Sequence, residues 1–141
     1  MRLVGDVKGA LVADLYAGTG ALGLEAMSRG ARRVDFVESN PEALHALKAN
    51  VAKFHAREKT RIFKRDVLPF LQGVEPPGYD IAFADPPYQS KQAARVAERW
   101  LLEPFSRLLL VEHATGLELP HGGRSHRLGD TTLTLYRRPG D

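Results

Sequence analysis

Cysteine is absent from the 141-residue chain, which excludes a disulfide scaffold, a thiolate metal site and a thiol nucleophile. No apolar run approaches the roughly 18–20 residues of a membrane-spanning helix. Met1-Arg2-Leu3-Val4-Gly5-Asp6 shows no apolar leader either, so a cytoplasmic protein is expected. Repeats, low-complexity tracts and linkers are missing. The five histidines show no ligand spacing, and no metal is expected.

What remains is an ordinary globular composition. Apolar residues make up 43% and charged ones 26%, well interspersed, which suits one domain over residues 1–141 with its own core. The net charge of +3 leans basic, and 14 arginines outnumber 6 lysines. That balance permits a nucleic-acid partner, although a biased genome produces the same ratio.

Short β-branched or apolar runs alternate with helical patterns. Strands are predicted at Ala10 to Leu15, Arg33 to Glu38, Thr60 to Lys64, Asp80 to Ala84 and Arg107 to Glu112. Helices are predicted at Gly20 to Arg29, from Asn40 onward, briefly at Pro69 to Leu71, and at Ser90 to Leu101. Asn40 with Pro41 behind it is a helix start, and Leu44, Leu47, Val51 and Phe54 form one apolar stripe. Arg124 to Leu128 and Thr131 to Arg137 read as a strand pair joined by Gly129-Asp130. Five strand–helix alternations plus a strand pair indicate an α/β fold, a mostly parallel seven-stranded sheet with helices on both faces.

Ligands of such sheets sit beyond the carboxyl ends of the strands. Asp14-Leu15-Tyr16-Ala17-Gly18-Thr19-Gly20, Glu38, Asp66 and Asp85-Pro86-Pro87-Tyr88 each follow a strand. Gly18 and Gly20 permit a tight turn and close approach of a ligand, and with Gly23 they also satisfy the dinucleotide pattern. Glu38, 20 residues beyond Gly18, suits ribose hydroxyls and fits NAD and S-adenosylmethionine (SAM) alike. Asp14 separates the two: an anion repels a pyrophosphate and attracts the methionine ammonium of SAM. Asp66 suits an adenine amino group, with Val67 beside the ring. Each carboxylate taken singly reads as a solvated strand end, and the glycines as a plain turn; together they point to SAM. The expected cofactor set is Asp14, Ala17, Gly18, Thr19, Gly20, Glu38, Ser39, Asp66 and Val67.

Asp85, Pro86, Pro87 and Tyr88 are the expected catalytic loop. The amino nitrogen of a nucleobase is a poor nucleophile because its lone pair is delocalised into the ring. The Asp85 carboxylate and Pro86 carbonyl can accept its two N–H hydrogens and aim the lone pair at a methyl carbon. The prolines fix φ and offer no N–H. Tyr88 offers a stacking face, worth roughly 1–3 kcal/mol in single-strand binding. Positioning can supply on the order of 7–11 kcal/mol of the barrier, and the base must leave its stack. Asp-Pro-Pro also ends strands in ordinary turns; the cofactor loop is what favours N-methylation of a nucleobase over that reading.

Asp14 to Ala31, Phe36-Val37-Glu38, Asp85 to Tyr88 and Leu128 to Tyr136 resemble the RsmD-type 16S rRNA (guanine-N2)-methyltransferases. The resemblance implies a Rossmann-like SAM-dependent methyltransferase fold with an antiparallel last strand. It also implies methylation of guanine N2 in 16S rRNA or a small ribosomal subunit particle. A monomer is expected. That family usually carries a further N-terminal arm and helix, whereas only Met1 to Gly9 precede the first strand here. A shortened relative or additional chain upstream is expected, and a non-catalytic SAM- or RNA-binding module is the alternative. An NAD(P) oxidoreductase would need a substrate domain that 141 residues do not hold. Lys91, Arg95, Arg99, Arg124, His126 and Arg127 are candidate phosphate contacts, each read first as a solvated surface charge. His113 is read as following the fifth strand, and Trp100 as packing.

Overall fold

The structure, a computed structural model, describes residues 2–88 and 90–140, without the side chain of Arg2; Met1, Gln89 and Asp141 lie outside the described residues. Strands β1 (Leu11–Leu15), β2 (Arg33–Val37), β3 (Thr60–Phe63), β4 (Tyr79–Ala84) and β5 (Ser106–Ala114) alternate with helices α1 (Ala21–Ser28), α2 (Pro41–Lys53), α3 (Val67–Gln72) and α4 (Gln92–Leu102). The chain closes on the hairpin β6 (Arg124–Leu128) and β7 (Thr131–Arg137), with Gly129 taking the positive φ of 66° that its turn uses.

The sheet order is β3-β2-β1-β4-β5-β7-β6. Strands β1 to β5 are parallel to their neighbours, and β7 runs antiparallel to both β5 and β6. The mostly parallel sheet with an antiparallel last strand is the one expected. Because the chain starts centrally at β1, winds out to β3 and resumes at β4 on the other side, β1 and β4 flank a switch point. A crevice opens there above the strand ends.

Strands covered on both faces are nearly continuous apolar runs. Val12, Val34, Phe36, Ile81 and Phe83 pack with Ala26 of α1 and Leu44, Leu47 and Val51 of α2. Leu15, Val37, Ala82, Leu109 and Val111 pack with Leu71 of α3 and Val96 and Trp100 of α4. Trp100 is a packing residue, its indole N–H donating to the Ser106 carbonyl at 3.0 Å.

The start of α2 follows the local rules: Asn40 Oδ1 accepts from the Ala43 N–H at 3.0 Å, with Pro41 at the first helical position. Its stripe is shorter than expected. Phe54 is 62% exposed because the helix ends at Lys53 and the backbone turns away at Phe54, which carries the ring off the buried face.

A second difference bears on the site. Strand β5 was expected to stop at Glu112 and instead runs on to Ala114. Its parallel rungs with β4 end at Ala84–Val111, since the prolines that follow lack the N–H a ladder needs. Its antiparallel rungs with β7 continue through Glu112–Leu133, His113–Thr132 and Ala114–Thr131. Three residues of β5 therefore stand above the end of β4.

One carboxylate lies within the sheet's packed layer. Asp35, with 0% exposure, accepts from Arg61 Nη2 at 2.7 Å, Tyr79 Oη at 2.6 Å and Arg33 Nε at 3.2 Å. Burial alone would raise its pKa, but these donors outweigh burial and hold it below the usual carboxylate value.

Candidate active site at the carboxyl ends of the strands

Two recesses open above the strands. The larger, about 610 Å³, is lined by Tyr16, Glu38, Ser39, Asn40, Asp66, Val67, Pro69, Asp85, Pro87 and Gln92 among others. That volume lies in the range of small-molecule sites. The smaller, about 220 Å³, is lined by Asp85, Pro86, Pro87, Tyr88, Ala93, Glu112, His113, Ala114, Leu117 and Thr131. The two share Asp85 and Pro87. A wider concavity of about 760 Å³ lies between α1 and the end of α2, flanked by Thr19 and Phe54. It gathers no strand-end carboxylates among the described residues, whereas the first two do.

The three glycines of the loop do different things. At Gly18, φ is 59° and a side chain would face open space, so the backbone is exposed to a ligand. At Gly20, a side chain would run into Leu47 Cδ1, and at Gly23 into Phe36 Cε1. Those two let α1 press against the sheet and α2. Ala17 N–H donates to the Val37 carbonyl at 3.0 Å, tying the loop to β2. Thr19 turns to the outer side, where its carbonyl accepts from Asn50 Nδ2.

Glu38 holds the loop as well as facing the recess. Its Oε1 accepts from the Gly18 N–H at 2.7 Å, and its Oε2 from the N–H groups of Asn40 at 2.9 Å and Ser39 at 3.1 Å. A carboxylate offers about four acceptor positions, so roughly one remains. A ribose diol donating two hydrogen bonds must displace one of the backbone donors.

Asp14 is 3% exposed and sits beneath the loop, its Oδ2 accepting from the Gly23 N–H at 2.9 Å. Burial lifts its pKa to about 7; the Gly23 bond works against this, while Asp85 and Glu38 add to it. The carboxyl lies poised between forms at neutral pH, awaiting a cation. Asp66 precedes α3 as its capping residue, yet its side chain makes no cap hydrogen bond. Such residues normally accept from the helix N–H groups. An uncommitted carboxylate beside Val67 suits an amino donor.

Tyr16 was not singled out from the sequence. Its φ is 59°, uncommon outside glycine, and its Oη donates to Gln92 Oε1 at 2.6 Å, linking the glycine loop to α4. Burial and then the Asp66 charge push the phenol pKa up, so it remains a donor. Pro69, Asn40 and Gln92 also lay outside the expected set.

In the smaller recess, the Pro87 carbonyl accepts from Ser90 N–H at 3.1 Å, whereas that of Pro86 takes no protein partner among the described residues. The exposed Tyr88 ring is tethered by its Oη donating to the Asp130 carbonyl at 3.3 Å, on the β6–β7 turn. Asp85 has its pKa pushed up to about 6, by burial first and then by the adjoining Glu112 carboxyl. Glu112 is a residue the sequence reading missed, although the predicted fifth strand ended on it just as the predicted second ended on Glu38. His113 lies inside β5. Its Nδ1 faces the Ala114 carbonyl at 3.1 Å and its Nε2 the Thr134 hydroxyl at 2.7 Å, so both ring nitrogens are engaged.

Of the candidate phosphate contacts, Arg99 is committed to the Glu103 and Leu71 carbonyls. Lys91, Arg95, Arg124, His126 and Arg127 are exposed.

Residues 2–137 match the profile of the family described as Conserved hypothetical protein 95. The chain belongs to that family. It is 36% identical over 134 residues to the Escherichia coli K12 protein named Ribosomal RNA small subunit methyltransferase D, covering 89% of this chain and 67% of that one. The solved structure of a hypothetical protein from Thermus thermophilus superposes with a TM-score of 0.83 at 30% identity, over 97% of this chain and 80% of that one. A methyltransferase-type chain solved in complex with SAH shares the fold alone, with a TM-score of 0.71 at 14% identity over 95% of this chain and 47% of its own.

Proposed function

We propose that the chain transfers a methyl group from SAM to the N2 amino group of a guanine in small-subunit rRNA, acting in the cytoplasm as a single-domain monomer. The observation that carries this reading is the junction of the two recesses at Asp85 and Pro87. A cofactor on one side and a base on the other meet at that loop. The small-subunit target rests on kinship with the Escherichia coli protein of that name.

The residues fit SAM. Asp66 and Val67 would take the adenine, Glu38 the ribose, and the backbone of Ala17 to Gly20 the middle of the molecule, with Ser39 at the rim. Asp14 would face the ammonium. When bound, SAM supplies an electrophilic methyl carbon on a sulfonium.

The chain's own part is to make the nitrogen attack. Asp85 Oδ and the Pro86 carbonyl accept the two amino hydrogens, which draws the lone pair out of the ring. Pro86 and Pro87 keep both acceptors rigid, and Tyr88 stacks on the base. As the nitrogen takes up the methyl carbon that bound SAM would supply, with its sulfur as the leaving group, one amino proton would pass to the Asp85 carboxylate. A carboxyl of pKa about 6 is mostly ionised at pH 7 and is a competent acceptor there.

The test is transfer of labelled methyl from SAM to small ribosomal subunits, with SAM binding followed by calorimetry. Asp85→Ala should bind SAM and lose transfer; full activity in that variant refutes the assignment. SAM heat with no transfer by the unaltered chain would instead favour a binding module.

A further inference from the structure

We propose that Glu112 is the base-selecting residue, its carboxylate accepting the ring N1–H of guanine while Asp85 and Pro86 hold the amino group. This rests on the amino-methylation reading above.

Three observations carry it. The last rung of the β4–β5 ladder is Ala84–Val111, so Asp85 and Glu112 are the next residues on adjoining parallel strands, about 4.8 Å apart in the hydrogen-bonding direction. Both line the smaller recess with Tyr88, Pro87 and Leu117, and among the described residues no lysine or arginine does. His113, the other titratable wall residue besides Tyr88, has both ring nitrogens engaged. Two carboxyls thus face a partly apolar recess whose described walls hold no lysine or arginine, and burial, then the neighbouring Glu112, raise the pKa of Asp85.

Such a pair wants two neighbouring donors. Guanine presents them, N1–H beside the N2 amino group. Adenine and cytosine place a lone pair next to their amino groups, at N1 and N3, and that lone pair would meet the acceptor oxygens of Glu112. The overhang of β5 beyond β4 is what sets Glu112 beside the ring rather than beneath it. A mismatched base leaves the carboxylate unpartnered, and a bidentate contact of this kind discriminates by roughly 10- to 100-fold.

The experiment uses small ribosomal subunits lacking the methyl group, with the guanine that becomes methylated located by mass spectrometry, and subunits with that guanine changed to adenine. The intact protein should methylate only the former. Glu112→Gln should bind SAM unchanged by calorimetry, lose roughly 10- to 100-fold on guanine, and gain on adenine, because the new amide N–H can donate to adenine N1. Glu112→Asp, which keeps the charge, should retain the guanine preference at reduced rate. Equal activity of Glu112→Gln and the unaltered protein on guanine overturns the proposal, as does equal loss in both variants with no change in base preference. If the unaltered protein binds SAM yet methylates neither subunit, the amino-methylation reading itself falls. That outcome is distinct from failure of Glu112 alone.

Discussion

Replacing Asp14 with asparagine should stabilise the protein at pH 8 and weaken its grip on SAM. Lifting a carboxyl from 3.8 to about 7 at about 1.4 kcal/mol per pH unit comes to roughly 4 kcal/mol. With Asp14 only 3% exposed, solvent screening takes little from that figure. The folded state holds this proton more tightly than the unfolded chain. Its contribution is therefore fully present below about pH 4 and is lost as pH rises to about 7. Asparagine can keep accepting from Gly23 N–H and does not titrate. The stability gap between Asp14→Asn and the unaltered protein should be near zero at pH 4 and widen toward roughly 4 kcal/mol by pH 8.

Urea denaturation at pH 4, 5.5, 7 and 8 reads that gap directly, and shared effects of other carboxylates cancel in the difference. The functional counterpart is proton release: at pH 7, a cation arriving beside Asp14 must ionise it. The heat of SAM binding should then depend on the buffer's ionisation enthalpy in the unaltered protein and not in Asp14→Asn. A gap that stays flat between pH 4 and 8 refutes the reasoning. So does a variant less stable than the unaltered protein at pH 8.

Three further outcomes follow from the same geometry. Methyl transfer should rise with pH through about 6, where Asp85 ionises, and stopped-time assays between pH 5 and 8 check this; a profile flat across that range removes Asp85 as proton acceptor. Gly23→Ala should destabilise by about 1–3 kcal/mol in urea denaturation, because the added methyl meets Phe36 and Val34, and unchanged stability would mean the helix shifts freely. Asp35→Ala should lose about 2–3 kcal/mol, below the 3–5 typical of a fully buried pair, since Arg33 and Arg61 are 36% and 54% exposed and can rehydrate. Its deficit should shrink as pH falls through the depressed pKa of Asp35, below the ordinary carboxylate value.

Local chemistry explains what could be read in advance. Asn40 and Pro41 start α2 by side-chain geometry alone, and the β6 and β7 boundaries follow from alternation around Gly129. Strand-end carboxylates Glu38, Asp66 and Asp85 share the larger recess because winding order fixes where strand ends gather. The misses are nonlocal. Phe54 continues the helical spacing, and only the actual end of α2 takes it out of the stripe. Glu112 joins the site because β7 pairs with β5 past the point where β4 stops, and pairing between strands some twenty residues apart leaves no mark in either one. Tyr16 is conspicuous through a φ of 59°, which a side chain's identity does not announce. Glu38 was read as a ribose ligand, and its hold on Gly18 came from the loop's fold.

The overhang of β5 also divides labour across the sheet. On the proposed reading, cofactor contacts come from the ends of β1, β2 and β3 on one side of the switch point. The acceptor's wall would then come from β5 and β7 on the other, with the Asp85 loop as the seam. Exchanging residues on the paired strands β5 and β7 would therefore change which acceptor is admitted while leaving the methyl donor's berth untouched. A fold wired in this way can diversify its targets by drift at one edge, and a designer could retarget it from the same edge.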